Sequence, residues 1–235
     1  MYDFTGKFAV VTGGSRGIGE AIVRRMVAEG ASGVAIIDVA DGLEYANELD
    51  PAGERLFYAK CNIANRAEVT AAFEKIYEKF GRVDFLVNNA GISRDSMFHK
   101  MEDSQWDDVI GIDLGGPYNC TKQVINRMRE DGFGRIVIVS SISAYGNVGQ
   151  ANYSAAKGGL CSLTKTLSRE GMKKGITVNA VLPGAIATAM TANVPLGPLA
   201  RFGEPSEVAG LICFLCSDEA AFINGALIDI NGGLH

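Results

Sequence analysis

No run of about 20 apolar residues, the length an α-helix needs to cross a bilayer, occurs in this chain. The stretch from Met1 to Lys7 lacks the basic start and apolar core of a secretory leader, so a cytoplasmic location is expected. An excess of basic charge is also missing. Lys and Arg number 22 against 27 Asp and Glu, a net charge of -5. General affinity for nucleic acid or for an anionic membrane is therefore not expected, and neither is counted as a partner. The five cysteines are an odd number without framework spacing, so disulfides are not expected. Cys213 and Cys216 form a CxxC, but no second pair or neighbouring His completes a metal site. They fall in the apolar run Leu211–Cys216, which reads as a packed helix face, and no metal is expected. No linker, repeat or low-complexity tract divides the chain, so residues 1–235 read as one domain.

What is present is 47% hydrophobic residues, enough for a sizeable core, and 29 glycines, which suit tight turns. Short apolar runs read as strands at Phe8–Thr12, Val34–Ile37, Leu56–Ala59, Phe85–Val87, Ile136–Val139, Thr177–Val181 and Ala226–Ile230. Between them, 17–29, 66–80, 104–130, 152–174 and 205–217 read as helices. Strands alternating with helices imply βαβ units. The expected fold class is α/β, a single doubly wound, Rossmann-like domain with a parallel sheet of about seven strands covered on both faces.

Thr12–Gly19 reads TGGSRGIG, after the first strand and at the opening of the first helix. Glycines allow the tight turn and let backbone N–H groups approach a pyrophosphate, and the helix N-terminus adds partial positive charge. Asp38 closes the second apolar run. A carboxylate there accepts hydrogen bonds from ribose hydroxyls and repels a 2′-phosphate, which favours NAD over NADP. Arg16 pulls the other way, because a guanidinium in the turn can pair with that phosphate. NAD(H) is the expected cofactor, with NADP(H) as the alternative.

Tyr153 and Lys157 form YxxxK at the start of a helix. Residues at i and i+4 share a helix face, so phenol and ammonium point the same way. A nearby cation stabilises tyrosinate, which makes the phenol a usable acid or base near neutral pH. Ser140 and Ser141 end the fifth strand, at the edge of the ligand crevice of such a sheet.

Together these residues resemble the short-chain dehydrogenase/reductase family over essentially the whole chain. The matching elements are TGGSRGIG at 12–19, NNAG at 88–91, GRIVIVSS at 134–141, YSAAK at 153–157 and PGAIAT at 183–188. Within the family, GNVGQANYSAAKGG at 146–159 and NGGLH at 231–235 look most like 3-oxoacyl-thioester and acetoacetyl-CoA reductases. The resemblance implies that Tyr153 donates or accepts the proton. Lys157 tunes it and holds the nicotinamide ribose, and a serine orients the substrate oxygen. It further implies cofactor contacts from Gly13, Ser15, Arg16, Gly17, Ile18 and Gly19. Asn62 and Ile63 are expected beside the adenine, and Asn89, Ala90 and Gly91 beside the fourth strand. Pro183, Gly184, Ile186 and Thr188 are expected near the carboxamide. The family also implies a homotetramer joined through the helices at 104–130 and 152–174.

Three departures stand out. Asp113 occupies the place of an asparagine that organises a relay water near the lysine. Counting forward from Gly134 selects Ser141 as the catalytic serine, while counting back from Tyr153 selects Ser140. Strand length favours Ser141. Third, the segment between Met190 and Arg201, where the family builds its substrate lid, is shorter than the pattern. The expected activity is a reversible reduction of a carbonyl to a secondary alcohol, with a small-molecule substrate such as a 3-oxoacyl thioester. A hydroxysteroid or sugar-alcohol dehydrogenase and a cofactor-binding scaffold without turnover remain as alternatives.

Overall fold

Seven parallel strands form one sheet in a computed structural model that describes residues 2–189 and 199–234. They are β1 (Phe8–Thr12), β2 (Gly33–Asp38), β3 (Leu56–Lys60), β4 (Phe85–Asn88), β5 (Gly134–Val139), β6 (Ile176–Pro183) and β7 (Leu227–Ile230), in the order β3-β2-β1-β4-β5-β6-β7. Side chains alternate across a strand. Val11 and Ile36 therefore enter one core with Ile22, Val23 and Met26 of helix α1 (Gly17–Ala28) and Val208 and Ile212 of α7 (Pro205–Cys216). Their neighbours Val10 and Ile37 enter a second core with Phe73 and Ile76 of α3 (Arg66–Phe80), Val124 of α5 (Gly116–Asp131) and Leu160 of α6 (Ala151–Gly171). Each such side chain, once buried, stabilises the fold by about 1.5–3 kcal/mol before entropy is counted. Burial on both faces is why the strands read as unbroken apolar runs. Cys213 and Cys216 are buried in the first core, as a packed helix face requires, and burial pushes the Cys213 thiol up to about 12.

Two expectations about helices are corrected. The helix expected over 104–130 is interrupted. Helix α4 (Asp103–Val109) runs into a π-helical turn, Ile110–Gly115, before α5. Pro117 has no N–H to return to the carbonyl one turn back, and Gly111, Gly115 and Gly116 weaken the local helix. Gly116 is required by packing, since a Cβ there would lie 2.3 Å from Ile63 Cδ1. A short helix, α2 (Leu43–Leu49), lies where none was expected. Its first residue follows Gly42, which supplies no side-chain cap, and the carboxylate of Asp41 accepts from the Leu43 amide at 3.0 Å instead. Helix α6 ends at Gly171, and Met172–Lys174 continue only as a 3₁₀ turn.

The strand order reverses between β1 and β4, which opens a crevice beyond the carboxyl ends of the strands. Thr12, Asn88, Ser140 and Pro183 all emerge there. Of the shortened segment, residues 190–198 lie outside the described residues. Among the described residues, no helix is long and apolar enough to cross a membrane.

Candidate active site

The glycine-rich turn is built by close backbone approach. Gly13 has φ +64°, and a Cβ on it would lie 2.8 Å from Ala90 Cα. A Cβ on Gly19 would lie 2.0 Å from the Gly13 carbonyl oxygen. The Asn89 side chain, expected to support the cofactor beside the fourth strand, reaches back to the end of β1. Its Nδ2 donates to the carbonyls of Thr12 (2.9 Å) and Gly13 (3.1 Å). Thr12 Oγ1 accepts from the Asn89 and Ala90 amides at 3.0 and 3.1 Å. The ends of β1 and β4 are thereby one braced unit. The Tyr45 hydroxyl on α2 donates to the Gly14 carbonyl and steadies the same turn. Arg16, at the start of α1, makes no side-chain cap, so the first amides of α1 face the crevice at the positive end of the helix dipole. A cradle that no Cβ fits, lined by such amides, suits a pyrophosphate. Thr188 stands against it, its methyl 3.4 Å from where a Gly17 Cβ would be, and Ile18 packs its side chain against the first core.

Asp38 is held in place at the end of β2. Its carboxylate accepts from the Ser15 and Ala40 amides, both at 3.0 Å. Ser15 Oγ and the Tyr58 hydroxyl donate to the Ala40 carbonyl at 3.2 and 2.7 Å. Arg16 is exposed and forms no ion pair with Asp38. Beside them, the Cys61 amide donates to the Asp38 carbonyl at 2.9 Å, which brings Asn62 and Ile63 to the same end of the sheet. Ile63 is buried against Gly116, and Asn62 Oδ1 accepts from the Ala64 amide at 3.0 Å. At the end of β6, the Gly184 amide donates to the Ile230 carbonyl at 3.0 Å, next to Pro183, and Ile186 turns its side chain into the first core.

Across the switch point lies the polar cluster. Ser140 Oγ donates to the Lys157 carbonyl at 2.9 Å, so this hydroxyl is spent on holding α6. Ser141 Oγ accepts from the Ser143 amide at 3.1 Å, which leaves its own hydrogen to donate elsewhere. Lys157 is almost fully buried. Its Nζ donates to the Val139 carbonyl at 3.1 Å, stands 5.3 Å from the Tyr153 ring centroid, and lies 3.2 Å from Asp113 Oδ2. Asp113 Oδ1 accepts from the Ile92 amide at 2.8 Å. The carboxylate therefore reaches the ammonium directly, and the π-helical turn carries it there. Gly91 closes over the pair, and a Cβ on it would lie 2.7 Å from Asp113 Oδ2. Burial acts to lower the Lys157 pKa, but Tyr153 and Asp113 outweigh it and lift it above the usual lysine value. Burial raises the Asp113 carboxyl, offset in part by Lys157 and the Ile92 amide. The ammonium thus stays protonated across neutral pH. The Val139 carbonyl and the Ile92 amide each satisfy one side of this buried pair, while Asp113 Oδ2 has only the ammonium near it and no hydrogen-bond partner among the described residues.

All four expected catalytic residues fall in this cluster or at its rim. Those missed by sequence reasoning are Tyr45, on a helix that was not foreseen, and Asn152, whose sole signal was its place before Tyr153.

Residues 7–197 match a family model described as short chain dehydrogenase. The chain is 45% identical over 240 residues to the acetoacetyl-CoA reductase of Rhizobium meliloti (strain 1021), covering 97% of this chain and 98% of the relative. It is 40% identical over 247 residues to the 3-oxoacyl-[acyl-carrier-protein] reductase FabG of Escherichia coli (strain K12), covering 99% of each. The solved structure of levodione reductase superimposes with a TM-score of 0.92 at 32% identity, over 98% of both chains.

Proposed function

From the premise that the chain belongs to the short-chain dehydrogenase family and is an oxidoreductase, we propose that it reversibly reduces the 3-oxo group of an acyl thioester. The proposal treats residues 1–235 as one domain acting in the cytoplasm, with NAD(H) preferred. The observation that carries it is the full-length likeness to two relatives named as thioester reductases.

The cofactor, when bound, supplies the hydride. The turn from Gly13 through Ser15, Arg16, Gly17 and Ile18 to Gly19 would hold its pyrophosphate, and Asp38 its adenosine ribose. Asn62 and Ile63 would flank the adenine, while Ala90, Gly91, Pro183, Gly184, Ile186 and Thr188 would wall the nicotinamide side. Asn89 serves by bracing the turn. Ser141 donates its free hydrogen to the substrate oxygen and orients it. Tyr153 delivers the proton to that oxygen as general acid. Lys157 keeps a positive charge beside the phenol and would hold the nicotinamide ribose, and Asp113 anchors it. Placing both hydroxyls on rigid elements supplies proximity and electrostatic stabilisation together. The test is a turnover screen of short 3-oxoacyl thioesters, hydroxysteroids and sugar alcohols with NADH or NAD⁺ and their phosphorylated forms. Turnover of thioesters is expected. Activity on steroids or sugar alcohols alone, or none at all, would refute the proposal.

Asp113 offers a sharper check on the ion pair. Asp113→Asn keeps an acceptor for the Ile92 amide, removes the charge beside Lys157 and restores the residue that the family resemblance implies there. Activity is expected to hold or rise. A collapse of kcat in a folded variant would mean that the carboxylate charge itself is needed.

The proposed assembly is a homotetramer. The helix expected over 104–130 carries apolar residues at Val109, Ile110, Leu114, Val124 and Ile125, but Val109 and Val124 are buried in the chain's own fold and Leu114 rests on Gly159 of α6. Trp106 of α4 and Tyr118 of α5 expose apolar area at the surface. Light scattering at micromolar concentration should give four times the 24.9 kDa chain mass, and a monomer would contradict it.

A further inference from the structure

Asn152 stands directly before Tyr153 and is fully buried, at 0% exposure. An asparagine amide offers two hydrogens and one accepting oxygen. Here all are used. Nδ2 donates to the carbonyls of Arg94 (3.1 Å) and Gln105 (2.9 Å), and Oδ1 accepts from the Tyr153 amide (2.8 Å). Arg94 lies in the segment leaving β4, and Gln105 lies in α4. The Tyr153 amide belongs to the first turn of α6, where backbone N–H groups lack partners within the helix. Gln150, at the usual capping place, makes no cap there. Its side chain is engaged with Asp95, Ser143 and Asn147, each at 2.9 Å. Asn152 therefore does the capping from inside the helix while tying it to two other elements.

Those bonds set how α6 is rotated about its axis at Tyr153. The set of that first turn decides where the phenol oxygen stands relative to Ser141, while Lys157, one turn further on, is held separately by the Val139 carbonyl, Asp113 and Ser140. We infer that Asn152 is a positioning residue for the Tyr153 hydroxyl, pinning the first turn of α6 to α4 and to the segment after β4. It touches no reacting atom, and its effect on the reaction passes through Tyr153 alone. The inference rests on the reading of Tyr153 as proton donor.

A residue that acts through another loses its effect once the other is silenced. The experiment is a cycle of Asn152→Ala, Tyr153→Phe and the double variant, assayed with acetoacetyl-CoA and NADH. Asn152→Ala in the parent should lower kcat by about tenfold or more, as misplacement of a reacting group does, with KM little changed. In the Tyr153→Phe background the same change should cost less than about twofold. NADH affinity, read by fluorescence titration, should not move in either. Equal fractional losses in both backgrounds would overturn the inference, because Asn152 would then support the site without acting through the phenol. If Asn152→Ala does not fold, Asn152→Asp carries the same cycle. It has the same shape, keeps the acceptor for Tyr153 and loses both donors. Failure of both to fold also overturns the inference, since the residue would then be a requirement of the fold. Near-normal turnover in Tyr153→Phe alone removes the premise. That result is separate from a failed cycle, in which Tyr153→Phe is impaired but the losses multiply.

Discussion

Tyr153→Phe is expected to lower kcat by about two orders of magnitude or more, the range lost when a general acid is removed. The substitution deletes one oxygen and keeps the ring, so α6 and the contact with Lys157 at 5.3 Å are preserved. Nothing that would hold the pyrophosphate or the adenosine ribose changes. Cofactor affinity should therefore be unaltered while turnover falls, a split that calorimetric titration and steady-state kinetics together resolve. A hundredfold loss corresponds to about 2.7 kcal/mol of transition-state stabilisation. Residual activity should survive, because Ser141 and proximity remain in place. Near-normal turnover would end the assignment of Tyr153, and with it the proposed chemistry.

Asp38→Ser is expected to have the second largest effect, a reversal of cofactor preference. In the parent, a 2′-phosphate brought to the end of β2 would meet the Asp38 carboxylate. At about 4 Å and an effective dielectric near 20, each unit-charge pair interacts by about 4 kcal/mol before screening and rearrangement. Asp38 has little freedom to withdraw, since the Ser15 and Ala40 amides hold both of its oxygens. Arg16 is exposed on a long side chain and does not neutralise it. Removing the carboxylate frees those two amides beside that guanidinium, a set of donors suited to a phosphate. The Ser variant should gain more than about tenfold in kcat/KM with NADPH and lose with NADH, a shift above 1.4 kcal/mol. A parent that prefers NADPH would show that Arg16 outweighs Asp38. No NADPH gain in the variant would place Asp38 away from the ribose.

The strands and the glycine-rich turn were legible in the sequence because their causes are local. A buried parallel strand must be an apolar run, and a turn that meets Ala90 at 2.8 Å must be glycine. The YxxxK pair needs only helical spacing. What was not legible depends on partners distant in the chain. Asn89 is legible as a support beside the fourth strand, but its partners, the carbonyls of Thr12 and Gly13, lie on another strand's end. Ser140 and Ser141 are indistinguishable by type, and only the Lys157 carbonyl, 17 residues away, occupies one of them. Helix α2 is only seven residues long, and its single opening signal is Asp41, whose carboxylate accepts from the Leu43 amide. The π-helical turn follows from a proline and glycines whose combined effect on helix period has no simple pattern.

That turn makes the charge pairing of the cluster a matter of residue count as well as residue type. Each residue advances an α-helix by about 100°, so one residue more or fewer between α4 and α5 swings every later side chain by that angle. A shift that takes up the slack of Ile110–Gly115 would carry the Asp113 carboxylate off the Lys157 ammonium without altering a single ionisable group. Length variation in this stretch is thus a route by which related chains can retune a buried lysine while their catalytic residues stay the same.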